Sequence, residues 1–367
     1  MLTHPSSDSR DNRSDGAALA LSVIVPAFNC PVVLQSCLTG LLASDLPRAR
    51  WELIVVDDSS TDQTPDLART MADRVLTTTS GPRGPGEARN LGATVARAGV
   101  LLFVDADVVV SPTTLTGFAR AFDANPDVVA VFGAYDDRPA HPGFLSQYRN
   151  LLHHHVHSTH PGDASTFWAG CGAVRRTAFL DVGGFNGSRY PRPQIEDIEL
   201  GYRLKDRGCR ILLVPELQGK HLKQWTLRNM VRTDLRDRAV PWMHLLIDRR
   251  EVSSHGPLNL QFREKALTAV SGIAALAFAL AVVTLSGAWL VISLLGIAGV
   301  VLGNAALLRW FQRHRGAFFA LRVVPFRLLF YVLSGIGAAW AILTHRSHAV
   351  PSSITPLHDR RDPVAAS

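Results

Sequence analysis

Val100-Leu101-Leu102-Phe103-Val104-Asp105-Ala106-Asp107 is a run of five apolar residues that ends in two carboxylates one residue apart. A run this short, rich in β-branched and aromatic residues, reads as a strand buried on both faces. The pattern recurs upstream: Leu21–Val25 runs into Pro26, Glu52–Val56 ends in Asp57-Asp58, and Val75–Thr78 is a further short strand. Between these runs, Leu34–Leu42, Thr64–Met71, Glu87–Ala98 and Thr113–Ala121 carry helical spacing. Strands alternating with helices predict an α/β domain with a largely parallel, Rossmann-like sheet. Polar groups gather at the carboxyl ends of the strands, the edge on which open α/β sheets bind ligands.

The chain has 367 residues and a net charge of +7, but no part of it matches that average. Residues 1–265 carry 30 Lys or Arg against 29 Asp or Glu, residues 266–308 carry none of the four, and the remainder carries eight Arg against Asp359 and Asp362. The basic excess therefore lies beside apolar segments, which excludes a nucleic-acid surface spread over the domain. Cys30, Cys37, Cys171 and Cys209 form no C-x-x-C pair, so neither a zinc site nor a disulfide framework is indicated. Residues 1–20, rich in Ser, Asp, Asn and Arg, read as a disordered lead to a cytoplasmic domain at 21–227, and 346–367 as a disordered tail.

The uncharged block Ala266–Leu308 divides at Ser286-Gly287 into two halves of about 20 residues, each enough to cross about 30 Å of hydrocarbon. Two spans are expected, 266–285 and 288–308. Arg263 and Lys265 precede them and Arg309, Arg313 and Arg315 follow, which places both ends in the cytoplasm. A third apolar stretch, Phe318–Leu343, is interrupted by Arg322, Pro325 and Arg327. It is expected to form an interfacial helix near 318–326 leading into a short or re-entrant span over 328–343, with a full third crossing as the alternative. In 228–265, Arg228, Arg232 and Arg236 recur amid Leu227, Val231 and Leu235, giving an amphipathic linker suited to anionic headgroups. The whole predicts a multi-pass cell-membrane protein with its catalytic domain in the cytoplasm.

Asp105 and Asp107 would project from a strand end into the crevice, where two hard oxygen ligands can hold a divalent cation beside a diphosphate. Asp57-Asp58-Ser59-Ser60 offers hydrogen-bonding groups for a nucleoside, or caps for the next helix. Gly81-Pro-Arg-Gly-Pro-Gly-Glu-Ala-Arg-Asn-Leu-Gly is a glycine-rich loop before a helix, with Arg83 and Arg89 available near phosphates. Glu196 and Asp197 are adjacent carboxylates at a helix start, where their repulsion raises one pKa. Trp168-Ala169-Gly170-Cys171-Gly172 is a small-residue stretch that admits close approach.

Taken together, Val23-Ile-Val-Pro-Ala-Phe-Asn, Val56-Asp-Asp-Ser-Ser-Thr-Asp, Glu87-Ala-Arg-Asn-Leu-Gly, Phe103-Val-Asp-Ala-Asp and Glu196-Asp-Ile-Glu-Leu-Gly-Tyr-Arg resemble the family 2 glycosyltransferases. These are inverting enzymes of the GT-A fold that use nucleotide-diphosphate sugars. The resemblance covers about Leu21–Leu227. It implies that Pro26, Ala27 and Phe28 line the base pocket, that Asp58 bonds the base with Asp57 in support, and that Asp105 approaches ribose or metal. It implies further that Asp107 ligates Mg2+ or Mn2+, with His221 as a candidate additional ligand, and that Asp197 beside Glu196 is the general base. Trp168, Gly170 and Cys171 would floor the acceptor and donor-sugar site.

The implied partners are a nucleotide-sugar donor, with UDP-sugar expected, a lipid-linked or membrane-embedded acceptor, and membrane lipid. Processive members carry Gln-x-x-Arg-Trp after the catalytic acid, whereas this chain reads Lys223-Gln224-Trp225-Thr226-Leu227-Arg228, which favours transfer of a single sugar. A processive synthase is one alternative. A non-catalytic nucleotide-sugar-binding scaffold is another, as is a nucleotidyltransferase, although the latter would place a basic glycine loop where Pro26-Ala27-Phe28-Asn29 stands. His153 and His157 stand at i,i+4, but nothing nearby supplies a carboxylate at fitting spacing, so they read as a partly exposed helix face.

Overall fold

The computed structural model describes residues 18–252, 262–345 and Leu357. Four strands, β1 (Leu21–Ala27), β2 (Trp51–Asp57), β3 (Arg74–Thr77) and β4 (Val100–Val104), run parallel in the order β3-β2-β1-β4. Every residue of β1, β2 and β4 is buried, because α1 (Pro31–Leu42), α2 (Thr64–Met71) and α3 (Pro85–Val95) cover the sheet. Pro26 lies inside β1 rather than ending it: β1 pairs on both sides only over Ser22–Ile24, so the missing N–H at Pro26 falls where just β2 is alongside.

Beyond β4 the sheet is mixed, which corrects the expectation of a largely parallel one. The chain turns at Asp105–Asp107 into β5 (Val108–Val110), crosses α4 (Thr114–Ala124) to β6 (Val128–Tyr135), and continues through α5 (Phe144–Ser158) and β7 (Gly162–Ala164). Next come β8 (Cys171–Arg175), α6 (Arg176–Asp181), α7 (Glu196–Asp206) and the long β9 (Arg210–His221). β8 inserts antiparallel between β4 and β6, and β5 and β7 pair antiparallel with β9. These pairings are non-local, so no local periodicity announces them.

After β9 come α8 (Leu227–Arg232), a π-helical segment (Thr233–Ala239) and α9 (Val240–Asp248), and then the C-terminal helices, of which Ala305–Arg315 is basic and amphipathic and the others are apolar. α10 (Phe262–Thr284) and α13 (Ala317–Thr344) are each long and apolar enough to cross a membrane. The second expected span is broken: α11 (Gly287–Gly303) and α12 (Ala305–Arg315) meet at a 66° bend at Asn304. The third is unbroken, with Pro325 carried inside α13 and no separation between an interfacial helix and a short span.

The cause of the bend is a buried polar cluster. Asn304 Nδ2 donates to Val300 O, while its Oδ1 accepts from Arg327 Nε (3.0 Å) and from the Tyr331 hydroxyl (3.2 Å). Glu264 Oε2 lies 3.0 Å from the same hydroxyl and competes with Asn304 Oδ1 for its one proton, and Arg327 pairs with that carboxylate at 3.4 Å. A side-chain amide competing for backbone groups at a helix end is a recognised source of a break. The lead expected over 1–20 lies outside the described residues up to 17, as does the tail apart from Leu357. Leu357 is buried in the core cluster that includes Phe179, Val182 and Phe185, so the tail expected to be unstructured is anchored at that residue.

Replacing Arg327 with Met leaves Glu264 with only the exposed Arg263 as a cation and removes the donor to buried Asn304, and breaking a buried pair costs about 3 kcal/mol or more. Arg327→Met is therefore expected to lower the thermal unfolding midpoint in detergent by several degrees. An unchanged midpoint would show that the cluster does not hold the helices together.

Candidate active site

Asp105 follows β4 directly, and its backbone N–H donates to Gly170 O at 3.2 Å, which ties the turn to the start of β8. The chain then reverses into β5, whose register sets Val108 opposite His221 of β9, and Leu222 N–H donates to Asp107 O at 2.8 Å. Strand pairing thus brings His221 Nε2 to 3.3 Å from Asp107 Oδ2. On its other side His221 Nδ1 meets Asn150 Oδ1 of α5 at 2.7 Å, and the ring stacks on Tyr135 with centroids 4.4 Å apart. Burial opposes ionisation of Asp107, yet His221, with Lys223 beyond it, holds the carboxyl below its usual range.

The opposite wall is the first turn of α7. Asp197 Oδ2 accepts from Ala169 N–H (3.2 Å) and Oδ1 from Ile198 N–H (2.8 Å), while Glu196 Oε2 accepts from Gln194 N–H (2.8 Å). Desolvation in the cleft, with the Glu196 carboxylate beside it, pushes the Asp197 carboxyl up to about 7. A carboxyl raised in this way can accept a proton near neutral pH.

Arg89 joins the walls. Its Nη2 donates to Asp105 Oδ1 at 2.6 Å and its Nη1 to Glu196 Oε1 at 3.1 Å, and its side chain is 4% exposed. The sequence suggests that Arg89 stands near phosphates at the glycine loop, but α3 turns the Ala88–Asn90 face inward, so the guanidinium bridges carboxylates. Asp58 likewise has its carboxylate engaged by Thr78 Oγ1 (2.8 Å), Arg83 N–H (2.8 Å) and Gly84 N–H (2.7 Å), and so fixes the glycine-rich loop. Asp57 accepts from Ser60 N–H at 3.3 and 3.2 Å and shapes the turn after β2. Ala27 is buried opposite Asp57 and Pro26 opposite Val56, whereas Phe28 just past the strand end is 47% exposed.

The floor is set by Trp168: a Cβ at Gly170 would stand 2.6 Å from the indole ring, so only glycine allows the ring to lie there. Cys171 is different. Its side chain is fully buried in the sheet core, and burial pushes the thiol up to about 12, so it is an unreactive core residue beneath the floor, not a lining group.

Several neighbours of the site carry no motif. Tyr135 and Asn150 reach His221 only through the β6 and α5 placements. Trp225 is buried between Arg149 and Lys223, whose cations sit 4.9 and 4.5 Å from its ring. The one local signal was Val108-Val109-Val110, a β-branched run directly after the acidic pair. His153 and His157 pack with Tyr135 and Trp168, burial holds both imidazoles in the neutral form, and among the described residues no three His, Cys, Asp or Glu cluster closely enough to hold a metal.

Arg89→Met would strand two carboxylates in the cleft and is expected to destabilise the fold by about 3 kcal/mol. Adding Glu196→Gln should recover part of that loss in the double variant. Equal unfolding midpoints for wild type and Arg89→Met would contradict the bridge.

Residues 22–183 match the profile described as Glycosyl transferase family 2. The poly(ribitol-phosphate) beta-N-acetylglucosaminyltransferase TarS of Staphylococcus aureus is 35% identical over 111 residues, 29% of this chain and 19% of that protein. Validoxylamine A glucosyltransferase of Streptomyces hygroscopicus subsp. jinggangensis is 29% identical over 232 residues, 54% of each. The chain thus spans between a fifth and about half of these relatives. Among solved structures, the mannosyltransferase PcManGT of Pyrobaculum calidifontis, in complex with GDP-Man and Mn2+, superposes with a TM-score of 0.56 at 20% identity, covering 88% of this chain and 87% of that one. The family profile thus covers β1 to β8, the strands around the acidic turn, while α7 with Asp197 and the end of β9 with His221 lie beyond the matched residues.

Proposed function

We propose that the chain transfers one sugar from a nucleotide-diphosphate sugar to a hydroxyl or phosphate acceptor, with inversion at the anomeric carbon. The observation that carries this reading is Asp197, a half-buried carboxylate poised near neutral pH and held by Ala169 and Ile198 N–H groups across the cleft from Asp105 and Asp107. A single base facing the donor is what inversion needs. Asp197 takes the proton from the acceptor oxygen as that oxygen attacks, and the leaving diphosphate departs toward the Asp107 side. Phe28 offers an exposed aromatic face for the base at the end of β1, and Asp57 and Asp58 shape the loops beside it. A uridine nucleotide is the donor this reading favours, and the named relatives' sugars are the ones to try first.

Asp107 and His221 suit a divalent cation. A hard carboxylate oxygen and an imidazole nitrogen converge at 3.3 Å, with Asp105 adjacent though tied to Arg89. Mg2+ or Mn2+ bound there would neutralise charge on the departing diphosphate. With the protein supplying only two or three ligands, diphosphate oxygens would fill the rest of the shell. Asn150, accepting from His221 Nδ1–H, would leave Nε2 free for that role.

Residues 21–227 would be the catalytic domain, 228–265 the linker at the membrane face, and the apolar helices the anchor in a cell membrane. The catalytic domain would then lie in the cytoplasm with the acceptor lipid-linked or membrane-embedded. The packing of α5 against α12 and α13 through Tyr148, Leu151, Phe311 and Val323 supports an acceptor delivered from that side.

Asp197→Asn should cut transfer, or donor hydrolysis, about 10²–10⁴-fold while leaving nucleotide-sugar binding intact; wild-type turnover would overturn the assignment of the base. Because the proton acceptor is the ionised carboxyl, kcat/KM should rise with pH through about 7. Glu196→Gln, which removes the neighbouring negative charge, should move that rise to lower pH. A flat profile between pH 5 and 8 would contradict it. Asp107→Ala should abolish the thermal stabilisation produced by Mn2+ with nucleoside diphosphate, and an undiminished stabilisation would remove Asp107 from the metal site.

A further inference from the structure

α13 has the length and apolarity of a membrane span, yet its contacts are those of a helix lying along the catalytic domain. At 28 residues and 1.5 Å per residue it is about 42 Å long, well beyond about 30 Å of hydrocarbon. Near its start, Ala320 and Val323 pack with Tyr148 and Leu151 of α5, and the Phe319 and Phe326 rings meet Phe144 with centroids 4.9 and 5.5 Å away.

Near its far end, Gly337 is pressed so closely on the π-helical segment that a Cβ there would stand 2.6 Å from Ala239 Cβ. His345, just past α13, sits 3.3 Å from Asp248 of α9 and packs against the His244 ring. α9 in turn buries Trp242, Leu245 and Leu246 against Tyr190, Ile195 and Tyr202 of the catalytic domain. Beyond α13, Leu357 is buried with Phe179 and Phe185. Both ends of α13, and Leu357 beyond it, therefore lie on the catalytic domain's side.

The α10–α11 hairpin meets α13 at its base. The side chains involved are Glu264, Leu267, Thr268 and Asn304, whereas Phe278, Val282, Val283, Leu285 and Trp289 toward the hairpin tip are exposed. A third span bundled with the hairpin would cover its far half. The buried face of α13 runs Ala320, Val323, Arg327, Tyr331, Gly337 and Ala341, and the face turned away from the protein carries Phe318, Leu321, Ile336, Trp340 and Leu343. Arg309, Arg313 and Arg315 of α12 and Arg322 of α13 are exposed, cations of the kind that meet anionic headgroups beside an apolar face.

We infer that α13 lies flat in the membrane–water interface as a surface that docks the catalytic domain on an anionic bilayer, and that only the α10–α11 hairpin enters the hydrocarbon. The C-terminal end then stays on the catalytic side, and the mouth of the cleft is held at a fixed height above the lipid.

The test is depth measurement by spin labelling of the full chain in phosphatidylcholine–phosphatidylglycerol liposomes, with Cys30→Ser and Cys209→Ser removing the two partly exposed thiols. Leu321→Cys, Ile336→Cys and Leu343→Cys carry the label at exposed positions, and Phe278→Cys serves as the hairpin control. Oxygen and nickel-chelate accessibility should place 321, 336 and 343 at one shallow depth and 278 deeper. A deep 336 between shallower 321 and 343 would show a crossing and overturn the inference. So would labels wholly exposed to water, or broadened by a second copy packed on this face. Thr344→Cys should react with an impermeant maleimide from the same side as the catalytic domain; reaction from the opposite side overturns it as well. None of these readouts depends on turnover, so they stand or fall apart from the proposed reaction.

Discussion

One buried guanidinium holds the two halves of the cleft in register. Arg89 donates to Asp105 at the end of the parallel half of the sheet and to Glu196 of α7, which lies 107 residues further along the chain than Arg89. Desolvating a cation is expensive, and here the cost is offset by charge-assisted bonds to two carboxylates, the buried Glu196 and the partly exposed Asp105. The consequence reaches Asp197: with Glu196 held in place beside it, desolvation and the neighbouring carboxylate raise its carboxyl to about 7. The same bond fixes Asp105, leaving Asp107 and His221 as the freer pair on the donor side.

A second constraint ties that site to the apolar C-terminal helices. Successive residues of α5 face different structures: Tyr148 and Leu151 pack into the aromatic cluster with α12 and α13, Arg149 pairs with Asp234 of the π-helical segment at 2.8 Å, and Asn150 holds His221. A helix whose neighbouring positions address His221, the π-helical segment and the apolar helices cannot shift at one without disturbing the others. The π-helical segment is consistent with this, since such turns commonly mark functional sites.

The parallel half of the fold was legible because its signals are local. Thr64–Met71 and Val100–Val104 fall where their periodicity and end signals place them, and the other early elements differ by a few residues at their ends. The mixed half was not, because β8 between β4 and β6, and β5 on β9, are pairings between distant segments. His221 was recognisable as a candidate, but its seat beside Asp107 comes from the β5 register and its partner Asn150 from α5. Arg89 was recognisable as a charge near the glycine loop, and its inward direction followed only from which face of α3 is buried. The uncharged block marked the apolar hairpin, whereas the break at Asn304 depends on Arg327, Tyr331 and Glu264, which belong to other helices.

The central claim is that Asp197 serves as the single base of a direct displacement. The anomer of the sugar first released when the purified protein hydrolyses its donor without acceptor, read by proton NMR before mutarotation, tests it most directly. The account predicts the configuration opposite to that of the donor, since water held by Asp197 attacks from the face away from the diphosphate. First release of the donor's own anomer would require two displacements or a same-face path and would contradict it.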